Sequence, residues 1–473
     1  MIDSIPSTRL DYMASIPPSN LLPTAGTAAF SMEEAPSPPL PMEQEPDSSL
    51  LLFTIDVAGG HLSAADAFES NVKAHNPTVQ IERIELYSAL MGKRIARLFA
   101  ALWNEPQRRE WIGLLSLLQR LQPLCDLLFY LPLLLFTFLR LQRSSASSIV
   151  STQPLGSYAL AHAARLSHWW HGRRVQVHLF LTEESAQCRH YFRPLKYLSA
   201  RDRSIFTLHA PVPVLHEGDE ERFWKDHTGL SLLDGEVLHA PPLVRPGFWQ
   251  ATARPQMGPS ILSHQLSPCL DQKELELWLI PDLQKLEGAT VSTRILPDTR
   301  IVLVMLAKEA GHAATLEYVE AFVRLFSSPE KKPTTLVYVA CGTNQPLLTT
   351  LCRRLQEFRP LQAQGLHFVP LGYQTDRVIG QIMRFCDYTI TKSGGITSLE
   401  IQVAAVEATH YIHAPSQCYD QKLQKIDRQK AAEQMVLHEW ENFCALEKKC
   451  SAQLITPTAL LSELSSGLLL AGD

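Results

Sequence analysis

Short, uninterrupted runs of apolar residues recur along the chain, and most are followed by a stretch with helical spacing. The first run covers residues 50–55 and leads through a Gly-Gly loop into a helix-like segment at 62–72. Further runs of strand length stand at 81–86, 148–152, 175–181, 300–306, 335–340, 367–371 and 388–391. Because such runs are typical of parallel strands that helices cover on both faces, the pattern predicts an α/β protein with two doubly wound, Rossmann-like domains facing a cleft.

The chain exceeds the size of one ordinary core, and its composition divides it into five segments. Residues 1–48 are rich in Pro and Ser and carry seven acidic side chains against Arg9 alone, which predicts a disordered acidic tail. The other predicted segments are an N-terminal α/β domain at 49–250, a linker at 251–298, a C-terminal α/β domain at 299–450 and a C-terminal helix at 451–473.

The sequence of residues 88–143 predicts helices that carry many large apolar side chains and scattered arginines. The uncharged run from Leu127 to Leu139 would make a helix about 20 Å long, which is shorter than the roughly 30 Å hydrocarbon core of a bilayer. We expect Pro132 to interrupt this run as well. The sequence therefore predicts a buried or interfacial helix here, and not a membrane-spanning one.

Bulk composition excludes some classes of protein. The net charge of −5 argues against general nucleic-acid binding. Nine cysteines without a C-x-x-C pair indicate free thiols in a reducing compartment. The chain opens with no basic segment followed by an apolar one, so we expect no secretory leader and a cytoplasmic location.

The most informative turn follows the strand-like run at 388–391. It reads Lys392-Ser393-Gly394-Gly395 and passes at once into a helix-like segment. Free amide groups and the helix dipole at such a helix start favour a bound anion such as a phosphate. Glu400 stands five residues past Gly395, where a carboxylate can accept hydrogen bonds from sugar hydroxyls. The combination indicates a nucleotide or a nucleotide sugar as the ligand.

Four stretches in order resemble motifs of one family of enzymes. They are Asp56-Val57-Ala58-Gly59-Gly60-His61, Ile149 to Pro154, Pro242 to Phe248, and Leu371-Gly372-Tyr373 through Lys392 to Thr397 with Glu400. Over roughly 50–420 the chain resembles the GT-B glycosyltransferases, most closely the group of the monogalactosyldiacylglycerol synthases and the lipid II N-acetylglucosaminyltransferase. The resemblance implies transfer of a sugar from a UDP-sugar to a lipid or lipid-linked acceptor at a membrane surface.

The resemblance also implies roles for individual residues. Gly372 and Tyr373 would lie near the uracil, Glu400 would hold the ribose, and Gln417 would contact the sugar. The segment that cradles the diphosphate would comprise Lys392, Ser393, Gly394, Gly395, Ile396 and Thr397. The chain contains no Asp-x-Asp triplet, so backbone amides rather than a metal ion are expected to stabilise the departing UDP, and no cofactor is implied.

In the N-terminal half, the resemblance implies an acceptor site at Gly59, Gly60, Gln153 and Pro154. Inverting transfer needs a general base on this side, and His61 with support from Asp56 is the natural candidate. A peripheral membrane contact is expected in the helical region at 88–143, through Arg94, Arg97, Arg108 and Arg109.

Three stretches depart from the family pattern. A glycine-rich turn is replaced by Ala307-Lys308-Glu309-Ala310-Gly311, a Gly-x-Pro by Ala405-Val406-Glu407, and a Pro-Gly-Gln-Glu by Pro415-Ser416-Gln417-Cys418. These departures leave open a non-catalytic binding protein with a degenerate donor site. An enzyme similar to the UDP-N-acetylglucosamine 2-epimerases is a further alternative on the same fold.

Overall fold

The computed structural model describes residues 49–57, 59–109, 111–251, 259–265, 284–306, 311–328 and 332–463. The predicted acidic tail at 1–48 lies outside these residues. So do positions 307–310 of the altered turn, and with them Lys308 and Glu309.

A six-stranded, fully parallel sheet forms the centre of the N-terminal domain. Its strands stand in the order β2-β1-β3-β4-β5-β6. They are β1 (Ser49–Thr54), β2 (Gln80–Glu85), β3 (Ser148–Ser151), β4 (Gln176–Phe180), β5 (Phe206–Ala210) and β6 (Val237–His239). The helices are α1 (Gly60–His75), α2 (Leu86–Met91), α3 (Lys93–Arg108), α4 (Ile112–Arg143), α5 (Ser157–His171), α6 (Arg189–Leu195), α7 (Ala200–Arg203), α8 (Glu220–Thr228) and α9 (Pro246–Trp249).

The C-terminal domain repeats this plan with a second parallel sheet in the order β12-β11-β10-β13-β14-β17. Its strands are β10 (Arg300–Met305), β11 (Thr335–Gly342), β12 (Leu366–Gly372), β13 (Tyr388–Thr391), β14 (Thr409–His413) and β17 (Gln453–Ile455). The helices are α10 (His312–Phe326), α11 (Gln345–Gln362), α12 (Asp376–Phe385), α13 (Gly395–Ala404), α14 (Arg428–Gln434), α15 (Leu437–Cys450) and α16 (Pro457–Glu463). A short hairpin joins β15 (Tyr419–Asp420) to β16 (Lys425–Ile426). The predicted fold class, two doubly wound domains facing a cleft, is confirmed.

Two predicted segments differ from the structure. The stretch predicted as a linker contains a three-stranded antiparallel sheet of β7 (Ser260–Gln265), β8 (Gln284–Glu287) and β9 (Thr290–Ile295). In β7 buried and exposed residues alternate, which is the pattern of a sheet with one covered face, and this period was missed. The segment predicted as a C-terminal helix begins instead with β17, which extends the C-terminal sheet next to β14.

The helical region contains one long helix, so the predicted interruption at Pro132 is wrong. Helix α4 runs through Pro123 and Pro132 for 32 residues and is long and apolar enough to cross a membrane, with 17% of its most apolar window buried. Each proline removes one amide donor, a loss that packing against the domain can offset. Leu115 and Leu133 are buried on the side of the helix that faces the domain.

The order of the strands determines where a ligand can bind. In each sheet the strand order reverses at one point. This point lies between β1 and β3 in the first sheet and between β10 and β13 in the second. Ligands of open α/β sheets bind at the carboxyl ends of the strands at such points. The turn at Gly59 and Gly60 follows β1, and the turn at Gly394 and Gly395 follows β13. Both glycine turns therefore stand where a ligand is expected.

Candidate functional site

A cavity of about 470 Å³ lies between the two domains at these strand ends. This volume falls in the range of small-molecule sites. Eleven of the predicted site residues line it, namely Gly59, Gly60, His61, Pro154, Gly372, Tyr373, Gly394, Gly395, Ile396, Thr397 and Glu400. The structure thus brings together the two glycine turns, which are more than 300 positions apart in the chain.

Other predicted site residues lie outside the lining of this cavity. The Gln153 side-chain amide donates to the Leu155 carbonyl oxygen at 2.6 Å, and the Ser393 hydroxyl donates to the Glu439 carbonyl oxygen at 2.6 Å. These two side chains stabilise the turns that present the lining. The remaining residues outside it are Asp56, Lys392 and Gln417.

His61 is held in one tautomer by the loop that follows β3. Its Nδ1 atom lies 2.7 Å from the Thr152 carbonyl oxygen, which can only accept a hydrogen bond, so Nδ1 carries the proton and Nε2 carries the lone pair. Burial lowers the pKa of His61 to about 4, although the Thr152 carbonyl and the Glu183 carboxylate oppose this. The imidazole is therefore neutral at neutral pH and can accept a proton at Nε2.

A buried ion pair beside His61 was not predicted from the sequence. The Glu183 Oε1 atom lies 3.1 Å from the His190 Nε2 atom, and both residues line the cavity. Burial acts to raise the pKa of Glu183, but the charge of His190 and its hydrogen bond hold this pKa at about 2. The same contact raises the pKa of His190 against the effect of burial. The sequence signal was the acidic pair of Glu183 and Glu184 just past the carboxyl end of β4.

Glu400, predicted to hold a ribose, forms an ion pair inside the protein. Its Oε1 atom accepts a hydrogen bond from the Arg245 Nη2 atom at 3.0 Å, and both side chains are mostly buried. Burial raises the pKa of Glu400 to about 7, while Arg245 opposes this rise. Arg245 also lies over the ring of Phe248, with its guanidinium carbon 5.2 Å from the ring centroid. The Pro242–Phe248 stretch therefore meets the donor-side helix directly.

Helix α13 begins at the cavity without a capping side chain. Gly394 precedes the helix with φ −64° and ψ 148°, no side-chain oxygen in the described residues caps the start, and the first turn holds no acidic residue. The amide groups of that turn are thus available to an anion. Gly395 is packed so closely that an added Cβ would lie 2.3 Å from the Thr182 carbonyl oxygen and 2.5 Å from Glu183 Cγ.

The two facing sheets and the cleft between them define a GT-B fold. No family model matches the chain, and no curated protein matches it in sequence. Among solved structures it is similar to a UDP-glucosyltransferase from Polygonum tinctorium, with 12% identity over 90% of each chain and a TM-score of 0.43.

Two further solved structures resemble the chain. For MurG from Acinetobacter baumannii the identity is 10% over 88% of this chain and 90% of that one, with a TM-score of 0.41. For the UDP-GlcNAc 2-epimerase from Methanocaldococcus jannaschii the identity is 10% over 90% and 93%, with a TM-score of 0.38. With such low scores, the assignment of the fold rests on the two sheets themselves.

Proposed function

We propose that this chain is a glycosyltransferase that moves a sugar from a UDP-sugar to a lipid or lipid-linked acceptor at a membrane surface. The observation that carries the proposal is the cavity in which the turns at Gly59–Gly60 and Gly394–Gly395 meet. One turn belongs to each domain, so one ligand can be held by each sheet and the two can react between them.

The donor half of the proposal rests on the start of helix α13. Its uncapped amides suit a diphosphate, and no divalent cation is needed for the charge that develops on UDP. Tyr373 lines the cavity with 59% of its surface exposed, which leaves its ring available to a nucleobase. We place the diphosphate at Gly394–Thr397 and the base at Gly372–Tyr373.

The chemical step is a single displacement with inversion at the anomeric carbon. The acceptor oxygen forms a new bond to that carbon, the bond from the carbon to the UDP oxygen breaks, and the acceptor proton passes to Nε2 of His61. The Thr152 carbonyl holds Nδ1–H in place and thereby aims the lone pair. UDP leaves with the bonding electrons, and the amides at the start of α13 stabilise its charge.

The membrane half of the proposal rests on helix α4. Its large apolar side chains form an exposed stripe of Leu114, Leu117, Leu121, Leu124, Leu128, Leu131, Leu135 and Leu139. The opposite side contacts both domains, from Gln119, which is hydrogen-bonded to His438 of α15, to Leu141, which is buried in the N-terminal domain about 33 Å further along the axis. A helix fixed to a folded domain over this length cannot cross a bilayer alone, so we place it in the plane of the interface, its leucines in the lipid.

The arginines predicted for the membrane lie on and just after the neighbouring helix α3. Arg94 and Arg97 are exposed, whereas Arg108 and Arg109 are close to Glu105 at 3.8 and 2.6 Å. Surface pairs of this kind are weak and can open to meet anionic lipid. Replacing all four by Ser should therefore weaken co-sedimentation with anionic vesicles, and unchanged binding would refute their role.

Isothermal titration with UDP tests the donor site. Micromolar binding that does not need magnesium is expected for the wild type, and Glu400→Gln should weaken it because the Arg245–Glu400 pair is disturbed at the site. Glu407→Gln is the matched control, since Glu407 is exposed just beyond the same helix. No binding at millimolar UDP would refute a nucleotide donor.

Replacement of His61 tests the chemical step. His61→Ala should abolish sugar transfer to a lipid acceptor while UDP binding persists, because the base is lost and the diphosphate site is not. His75→Ala on the exposed end of the same helix should transfer at the wild-type rate. Full turnover by His61→Ala would show that another group is the base.

A second candidate function is a non-catalytic binding protein on the same fold. It is favoured by the Arg245–Glu400 pair, which occupies the carboxylate expected to hold the ribose, and by Glu183, which packs against Gly395. UDP binding without sugar transfer or hydrolysis across a panel of UDP-sugars would favour this candidate.

A further inference from the structure

A second and larger cavity, of about 1270 Å³, lies behind the first and has no part in the chemistry above. It is enclosed by helices α4, α5 and α6 of the N-terminal domain and by α15 of the C-terminal domain. Gln119, Gln122, His190 and His438 line both cavities. A single layer of polar side chains therefore separates the second cavity from the candidate active site.

The outer part of this cavity is positively charged. Arg120, Arg189 and Arg193 line it and are all exposed. Throughout the described residues no carboxylate pairs with Arg120 or Arg193, and Arg189 donates only to Gln187 Oε1, at 3.2 Å. Three exposed guanidinium groups that line one cavity and form no ion pair within the described residues are suited to a phosphate group.

The inner part of the cavity offers a hydrogen-bond acceptor that is unused. Glu441 lines it and is 2% exposed. Its Oε2 atom accepts from the Cys188 amide at 3.1 Å, whereas its Oε1 atom has no hydrogen-bond partner. A buried carboxyl oxygen without a partner is costly, and a hydroxyl group on a ligand would satisfy it whether or not the carboxyl group carries a proton.

The cavity is continuous with the apolar surface of the long helix. Leu127, 73% exposed, lines the cavity, and Leu124 and Leu131 flank it on the exposed stripe of α4. The walls also include the rings of Tyr130 and Tyr158. A ligand that fits these walls has a phosphate, a hydroxyl group and a long apolar part.

We propose that the second cavity binds a membrane lipid with a phosphate-bearing head group. The phosphate lies on Arg120, Arg189 and Arg193, a head-group hydroxyl donates to Glu441, and the chains follow the leucine stripe of α4 into the bilayer. That this lipid is the sugar acceptor rests on the proposed function, whereas its binding does not.

Titration of the full chain with dioctanoyl phosphatidic acid below its critical micelle concentration tests the site. We expect saturable binding at one site, weakened at least about tenfold in Arg120→Gln/Arg189→Gln/Arg193→Gln because three charge-assisted contacts are lost. The control variant Arg201→Gln/Arg222→Gln/Arg324→Gln removes three exposed arginines elsewhere and should bind like the wild type. Neutral dioctanoylglycerol and soluble glycerol 3-phosphate should each bind at least about tenfold more weakly.

Three results would overturn the proposal. Unchanged affinity in the cavity variant would remove the role of the arginines, and equal affinity for dioctanoylglycerol would remove the role of the phosphate. Equal affinity for glycerol 3-phosphate would identify a soluble phosphate ligand instead of a lipid. UDP titration of the same preparations separates the two sites, because lipid binding without UDP binding would refute the proposed function and leave the lipid site standing.

Discussion

Gly395 offers the sharpest test of how closely the two domains meet at the candidate site. A methyl group added there would lie 2.3 Å from the Thr182 carbonyl oxygen and 2.5 Å from Glu183 Cγ. Gly394, its neighbour, has nothing within 4 Å of an added Cβ and a φ of −64° that alanine adopts readily. Alanine at these two adjacent positions therefore separates interdomain packing from the general effect of replacing glycine.

The two substitutions are expected to change the free energy of unfolding differently, with a loss for Gly395→Ala and no loss for Gly394→Ala. An ordinary contact would be about 3.4 Å or longer, so the methyl group in Gly395→Ala is more than 1 Å too close to a backbone oxygen that cannot rotate away. Overpacking of this kind costs about 1–3 kcal/mol in the free energy of unfolding. Gly394→Ala should instead be neutral or stabilise by about 0.4–1 kcal/mol, because it restricts the unfolded chain.

Denaturant unfolding of both variants measures these energies, and UDP titration measures the site. We expect Gly395→Ala to be the less stable variant and to bind UDP more weakly, because the displaced loop moves the start of helix α13. Equal stability of the two variants would show that the domains do not meet at Gly395 as described, and the account of a closed cleft would then be wrong.

Three further predictions concern stability. Lys449→Met should cost about 3 kcal/mol, because Glu184, 0% exposed and 2.6 Å from Lys449 Nζ, loses its counter-charge, and Glu184→Gln in the same chain should restore most of it. Gly247→Ala should lower the melting temperature, since its Cβ would lie 2.4 Å from the Arg377 amide nitrogen. Acidification from pH 7 to 4 should also lower the melting temperature. Burial holds the pKa values of six histidines near 3–4 in the folded chain, whereas the unfolded chain takes up their protons below about pH 6.5. A melting temperature that does not change with pH would contradict this. The six buried histidines are His61, His178, His209, His264, His410 and His413.

Two carboxyl groups work against this pH dependence. Burial raises the pKa of Glu400 and of Glu441 to about 7, so the folded chain keeps their protons where the unfolded chain has lost them. Stability from these groups falls as the pH rises from about 4.5 to 7. Six histidines outweigh two carboxyls, so the net stability is expected to be lower at pH 4.5 than at pH 7.

The sequence predicted eight of the twelve strands of the two parallel sheets, most of them from local apolar runs, whereas β5, β6, β14 and β17, which are short or contain histidines, were not predicted. The strand predicted at 388–391 matches β13, since it is bounded by turn residues close in the chain. In the antiparallel sheet, β7 pairs with β9 across 24 intervening residues, so no local pattern indicates that pairing. The two-residue turn at Gly288–Ala289 between β8 and β9 is a local hairpin signal that was overlooked. The interruption predicted at Pro132 was wrong because tertiary packing against the domain maintains the helix, and a local rule for proline does not include this packing.

Within the candidate site, the sequence predicted where residues lie in the fold better than it predicted which side chains they contact. The glycine turns were predicted correctly to lie at strand ends, because that follows from their place in each strand–turn–helix unit. The contacts of Glu183 with Gly395 and of Arg245 with Glu400 join residues 212 and 155 positions apart. No local pattern encodes such pairs, so the sequence could not predict that Arg245 is the partner of Glu400, the residue expected to hold the ribose.

The loop after β4 limits the sides from which a ligand can enter the cavity. Its residues 182–188 are fastened to the C-terminal domain by buried contacts, among them Glu184 with Lys449 and the Cys188 amide with Glu441. Wide opening on that side would expose paired buried charges, which is costly. A ligand would therefore enter along other edges of the cleft, and one of these is bordered by helix α4, whose Leu118 and Gln122 line the cavity. The leucine stripe runs along the neighbouring side of that helix, so under the proposed function we expect a lipid acceptor to arrive from the surface that the stripe enters.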